Sequence, residues 1–133
     1  MKLPEQTTIC GDTFWSEDVL STLRPYSING NTVELYEDSP KSFYQSLVKS
    51  AQEYGNKTCI IDDSGRHYTY SQLLDMVDGF SKKLYYNYKV YPGTRVGLLM
   101  YNTIGFCVSF YAINKLNAIS VPLSTKYRES EIL

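Results

Sequence analysis

Two acidic residues, Asp62-Asp63, close a short apolar strand that starts at Cys59, and they are the sharpest chemical signal in the chain. Paired carboxylates at the end of such a strand can hold Mg²⁺ beside a phosphorylated aspartate. That chemistry needs another aspartate ending a later strand, and the apolar run Val96–Met100 ends in Tyr101-Asn102 instead. It also needs a parallel continuation, whereas Ser64-Gly65 turns the chain straight back. A hairpin turn rich in Asp and Ser accounts for the pair without a metal. His67 is the single histidine. With no second ligand and no nucleophile beside it, it reads as a surface or half-buried residue rather than a general base. Asn102-Thr103 lies where an apolar strand hands over to a helix, a junction whose free N–H groups can hold an anion. Capping that helix is the more ordinary work of these residue types. Cys107 falls in a helix expected to be fully buried, and thiolate chemistry needs exposure. The eight glycines are scattered and form no phosphate-cradling loop.

The stretch that must position most of these residues runs from Tyr91 to Leu123. A Pro92-Gly93 turn leads into the uncharged run Val96–Met100; Ile104–Leu116 is apolar on nearly every face; Ala118–Leu123 is a second short apolar run. Strand, helix and strand in about thirty residues is the length of a βαβ crossover. A strand apolar at consecutive positions is expected to be covered on both faces, as in a parallel sheet. A helix apolar all round is expected to be buried in a larger protein, being too short to cross a bilayer.

Upstream, Ser39-Pro40 has the chemistry of a helix start, Ser as N-cap and Pro in the first turn. Phe43, Leu47, Ala51 and Tyr54 form one apolar stripe, and Gly55 stands where a helix end wants a left-handed residue. Cys59–Asp62 and Arg66–Thr69 flank a tight Asp63-Ser64-Gly65 turn and predict a β-hairpin. Thr69 and Gln72 have the spacing of a capping box for a helix whose apolar face is Leu73, Val77, Phe80 and Leu84. Asp78 and Lys82 are placed for a pair within that helix. Before residue 39 there is little periodicity. Trp15, Val19, Leu20 and Leu23 are spaced like one face of a short helix, and Asn29-Gly30-Asn31 reads as a turn.

With 133 residues and a formal net charge of −1, the chain suits one ordinary globular domain. Its charges are interspersed and no basic stripe points to nucleic acid. No secretory signal and no membrane span is expected, which favours the cytoplasm. Cys10, Cys59 and Cys107 are odd in number and widely spaced, as buried free thiols are. Among thirteen tyrosines, Tyr85, Tyr86, Tyr88 and Tyr91 cluster near a helix end. They could cover a contact surface, or lie half-buried with wet hydroxyls.

Thr69-Tyr70-Ser71-Gln72-Leu73-Leu74, Tyr91-Pro92-Gly93-Thr94-Arg95-Val96, Tyr101-Asn102 and Asn117-Ala118-Ile119-Ser120-Val121-Pro122-Leu123 arrive in that order. The pattern, from about Ser42 to Leu133, resembles the start of the adenylate-forming enzymes, the ANL superfamily of acyl-CoA synthetases, adenylation domains and luciferases. Gln72, Thr94, Tyr101 and Asn117 replace the Glu, Asp, Pro and Gly usual there. The resemblance implies an α/β fold: the first part of the large N-terminal domain, with a β-hairpin, amphipathic helices and a parallel βαβ unit. Residues 1–38 would be a variable segment and 39–133 an incomplete subdomain.

The resemblance further implies a parent enzyme that uses ATP and Mg²⁺ to form an acyl-adenylate and then transfers the acyl group to CoA or a carrier thiol. The phosphate loop, ribose-binding motif and catalytic lysine of that family lie beyond a segment matching this one. The chain alone is therefore expected to be catalytically inert, with no catalytic and no metal-binding residue of its own. Lys126, after the second apolar strand, matches by position a basic residue on the acyl or CoA side in some members; two solvated charges, Lys126 and Arg128, is the simpler reading. The sequence ends inside a nascent helix, Arg128–Leu133, which suggests a longer natural protein. The expected partner is then the C-terminal remainder of the same chain, with self-association through exposed apolar surface when that remainder is missing. The contrasting reading is a free-standing α/β interaction module that uses the tyrosine cluster.

Overall fold

The computed structural model of the protein describes residues 8, 9, 12, 13 and 17–132, so Cys10, Trp15 and Leu133 lie outside the described residues. The chain forms two units, Met1–Ser39 and Pro40–Leu133. The first contains the antiparallel pair β1 (Thr8–Ile9) and β2 (Asp12–Thr13), the short helix α1 (Glu17–Leu20), and a hairpin of β3 (Leu23–Ile28) and β4 (Asn31–Tyr36). Asn29 and Gly30, with φ of 50° and 80°, make the tight turn that a two-residue hairpin loop requires. Leu23, expected on a helix face, instead opens β3 opposite Tyr36. The Asn-Gly turn outweighs the weak helical spacing before it.

The second unit runs α2 (Phe43–Tyr54), β5 (Thr58–Ile61), β6 (His67–Thr69), α3 (Tyr70–Tyr88), β7 (Arg95–Leu98), α4 (Ile104–Lys115), β8 (Ile119–Pro122) and α5 (Glu129–Ile132). β5 and β6 pair antiparallel, whereas β7 and β8 pair parallel across α4. The expected hairpin and βαβ unit are both present. Helices α2, α3 and α4 pack on one another around Leu47, Leu73, Val77, Leu84, Ala112 and Ile113; Val77 and Ile113 are fully enclosed.

Local chemistry explains the boundaries. The Thr69 side chain accepts from Gln72 N at 3.2 Å while Gln72 Oε1 accepts from Thr69 N at 2.9 Å, a complete capping box. Helix α2 starts later than Ser39-Pro40: its N-cap is Ser42, whose hydroxyl accepts from Gln45 N at 3.1 Å. Gln45 Oε1 in turn accepts from Lys41 N at 3.0 Å, a reciprocal support that Ser39 could not obtain. Gly55 caps α2 in a right-handed conformation, not the left-handed one expected. It is needed for closeness instead, because a Cβ there would meet Ser71 Oγ at 2.7 Å and Ala51 O at 2.8 Å.

Two expectations of burial change. β7 alternates, with Leu98 buried and Leu99 exposed just after it, and β8 is half-buried at best, so the pair is not covered on both faces within this unit. In α4 only Ser109, Ala112 and Ile113 are buried; Cys107, Phe106 and Phe110 are half-buried. Helices α2 and α3 and two two-stranded sheets do not supply enough surface to enclose an element apolar on every side. Asp78 also departs from its expected pairing with Lys82. It accepts from Lys115 Nζ at 2.7 Å and from Tyr44 OH at 3.0 Å, tying α2, α3 and α4 together. Burial opposes the Lys115 charge, but contacts with Asp78 and Tyr44 outweigh it and raise the pKa.

Candidate functional site

Parallel strands direct their carboxyl ends to the same edge of a sheet, and ligands of open α/β sheets gather outside that edge. Here the edge carries Tyr101, Asn102 and Thr103 after β7, and Ser124, Thr125 and Lys126 after β8. A backbone bond from Leu123 N to Leu98 O, 3.0 Å, carries the pairing to this edge before the two chains leave it. Thr103 occupies the N-cap of α4, yet its hydroxyl turns away and donates to Tyr101 O at 3.4 Å, with no side-chain cap bond. The expected cap position is therefore right and the expected capping bond is not made.

The fold brings two sequence candidates together. A cleft of about 330 Å³ is lined by Ile61, Asp62 and Asp63 from the end of β5 and by Asn102, Thr103 and Cys107 from the start of α4, with three further apolar residues. Asp62 does not offer its charge to this cleft. Its Oδ1 accepts from Ser64 N (3.0 Å), Ser64 Oγ (2.6 Å) and Arg66 N (3.0 Å), and its Oδ2 from Arg66 Nε (2.9 Å) and Tyr68 OH (3.1 Å). Only 7% of the side chain stays exposed. The hydrogen bond from Ser64, then those from Arg66 and Tyr68, hold the carboxyl well below the usual carboxylate range. With Gly65 at φ 79° completing the turn, Asp62 is the organiser of the hairpin rather than a metal ligand. Asp63 is exposed, and no cluster of three or more His, Cys, Asp or Glu able to hold a metal occurs among the described residues.

His67 is exposed on β6, and its imidazole has no hydrogen-bond partner among the described residues. Cys59 and Cys107 are free and half-buried, and both line a second cavity of about 400 Å³ between α2, β5, α3 and α4. Burial pushes the Cys59 thiol up, away from thiolate reactivity, and its Sγ donates to Tyr68 O at 3.3 Å. Lys126 lies exposed in the loop after β8; its backbone N–H donates to Ser124 Oγ at 3.2 Å. The cleft between Asp63 and Asn102 was missed in the sequence, since nothing in either motif signals that β5 ends beside α4.

Comparisons with known proteins now bear on this arrangement. Residues 47–133 match the family described as AMP-binding enzyme. A ligase of Rhodococcus jostii (strain RHA1), the 3-[(3aS,4S,7aS)-7a-methyl-1,5-dioxo-octahydro-1H-inden-4-yl]propanoyl:CoA ligase, is 31% identical over 96 residues, covering 72% of this chain and 18% of that protein. The long-chain-fatty-acid–CoA ligase FadD13 of Mycobacterium tuberculosis is 45% identical over 40 residues, 30% of this chain and 8% of that one. Among solved structures, the inhibitor-bound N-terminal domain of FACL13 from Mycobacterium tuberculosis superposes with a TM-score of 0.66 at 28% identity, over 70% of this chain and 23% of that one. The Klebsiella oxytoca NpsA N-terminal subdomain gives the same TM-score at 20% identity over 70% of this chain and 24% of that one, which speaks for the fold alone. The chain thus spans less than a fifth of the length of the curated relatives it matches. With the four sequence motifs, the parallel βαβ unit and the family match in agreement, the chain belongs to the AMP-binding enzymes of the adenylate-forming superfamily.

Proposed function

We propose that this chain is the N-terminal portion of an ATP-dependent carboxylate-activating ligase that forms an acyl-adenylate and passes the acyl group to CoA. Residues 39–133 are its incomplete N-terminal α/β subdomain and 1–38 a variable leading segment. The observation that carries the reading is the family match over residues 47–133. The two named relatives are both CoA ligases with different acyl groups, which supports CoA over a carrier thiol as acceptor and leaves the acid open.

Asp62 is not free to hold Mg²⁺. Asp62 has its oxygens filled by five donors, and no acidic cluster stands beside it. In this reading ATP and Mg²⁺ are met by the rest of the protein, as are the acid and CoA apart from Lys126, and this portion otherwise acts as scaffold. The exposed Leu99, Tyr101 and Ile119 around β7 and β8, and the half-buried flanks of α4, are the surfaces the rest would cover. Without it the chain self-associates through them. Lys126, at the carboxyl edge of the parallel pair, sits on the acyl or CoA side of the assembled site. No described helix is long and apolar enough to cross a membrane, and a cytoplasmic location accompanies the proposal.

Thioester formation by the longer polypeptide, measured with fatty acid, ATP, Mg²⁺ and CoA, tests the reading. We expect Lys126→Ala to raise KM for the acid or CoA several-fold with the fold intact. No thioester with any of a panel of carboxylates would overturn the ligase assignment, and unchanged KM values would overturn the role of Lys126.

A further inference from the structure

From Gly79 to Arg128 the sequence contains no Asp or Glu and seven Lys or Arg, so the net charge of −1 conceals a strongly basic half. The interspersion of charge holds for the chain as a whole and fails over this stretch. Part of the excess gathers at the end of α3 and the turn after it. Lys82, Lys83 and Lys89 are exposed there, and none pairs with a carboxylate among the described residues. Lys115 nearby is already neutralised by Asp78.

The same surface holds the tyrosine cluster. Tyr86 and Tyr88 are 66% and 65% exposed, and Tyr85 packs edge-on against Tyr86 (5.1 Å between ring centroids) and Tyr91 (5.4 Å). Tyr85, Tyr86 and Tyr91 thus brace one another, which lowers the entropy lost on binding. Beside them Ser81, Lys82, Tyr85, Tyr86, Lys115 and Leu116 line a groove of about 320 Å³, room for an apolar side chain. Fixed tyrosines around a groove, flanked by cations lacking counter-charges, have the composition of a protein-docking hot spot.

We propose that the C-terminal half of α3 and the turn after it dock an acidic segment of a partner protein, with carboxylates meeting Lys82, Lys83 and Lys89 and an apolar side chain seated in the groove. Charge complementarity selects the acidic partner. A lipid surface is the poorer fit, since the patch offers tyrosines around a concavity rather than a protruding Leu, Phe or Trp wedge. Nucleic acid is poorer too. Rings at 88° and 90° to one another present edges, not a ladder of parallel faces for bases.

Fluorescence anisotropy of the whole 133-residue chain with a fluorescein-labelled peptide of repeated Glu-Glu-Leu-Ala tests this. We expect saturable binding that weakens with salt and falls about tenfold or more in Lys82→Glu/Lys83→Glu and in Tyr86→Ala. Lys49→Glu, an exposed change of like charge on α2, should leave it unaltered. Circular dichroism of each variant separates lost contact from lost fold, and Tyr86→Phe, which keeps the ring, should retain most affinity. No peptide binding, equal loss in Lys49→Glu, or tighter binding to phosphatidylserine vesicles or oligo-dT than to the peptide would overturn the proposal.

Discussion

The two small sheets of the second unit are built on opposite plans. β5–β6 is closed by its own turn, where Asp62 receives five hydrogen bonds from residues no more than six positions away. β7–β8 has no such local closure. Its strands meet only because α4 packs on α3 and returns the chain, with Gly93 N donating to Asn117 O (2.9 Å) and Ile119 N to Thr94 O (2.8 Å) at the start of the pair. The first sheet is specified by neighbours in sequence, the second by the core. An element of the second kind is the one left half-covered when few layers surround it, and this one rests on helix α4.

The sharpest way to separate the plans is to weaken the core. Ile113 is fully enclosed. We expect Ile113→Ala to cost about 2–5 kcal/mol in chemical denaturation, from lost burial and the cavity left behind. Hydrogen exchange should then speed up in β7 and β8 well before the turn at Asp62 to Arg66 responds. Equal acceleration in both sheets would dissolve the distinction. A smaller effect comes from the joint between them. Thr69→Ala removes the cap bond to Gln72 N and should cost about 1 kcal/mol, with Thr69→Ser recovering most of it.

The most local effect belongs to the hairpin. Because the Asp62 carboxyl is held below its ordinary value of 3.8, its contribution is complete above that pH and is lost as pH falls through the lowered folded value. Protection of the Ser64 and Arg66 amides should therefore persist unchanged from neutral pH to about pH 5. In Asp62→Ala it should already be gone at neutral pH. Protection that fades above pH 4 in the wild-type chain would contradict the hydrogen bonding at this turn.

How much could be read beforehand follows the same division. The Asp-Ser-Gly turn, the Thr69–Gln72 capping box and the Pro92-Gly93 entry to β7 depend on residues a few positions apart, and each is written in the sequence. So is the existence of the crossover helix α4, although its full burial, expected from its apolar character, is not met: only Ser109, Ala112 and Ile113 are buried. The β3–β4 hairpin was visible only as its Asn29-Gly30 turn; its strands show too little alternation to stand out. Ser42 taking the cap from Ser39 depends on where Gln45 reaches. Gly55 depends on the approach of Ser71, and Asp78 leaves Lys82 because Lys115 and Tyr44 arrive from other helices. Ser42 and Gln45 are three apart like Thr69 and Gln72, so that cap was readable, whereas the last two are not encoded at helical spacing. The candidate cleft was illegible for the same reason: Asp63 and Asn102 become neighbours only when β5 and α4 pack.

ATP–pyrophosphate exchange, run on residues 1–133 and on the longer polypeptide with a panel of carboxylic acids, tests the central assignment most directly. The account predicts carboxylate-dependent exchange by the longer protein and none above background by this portion, which lacks a phosphate-binding loop and has the oxygens of Asp62 occupied. Exchange by the 133 residues alone would place a complete site within them and contradict the scaffold role.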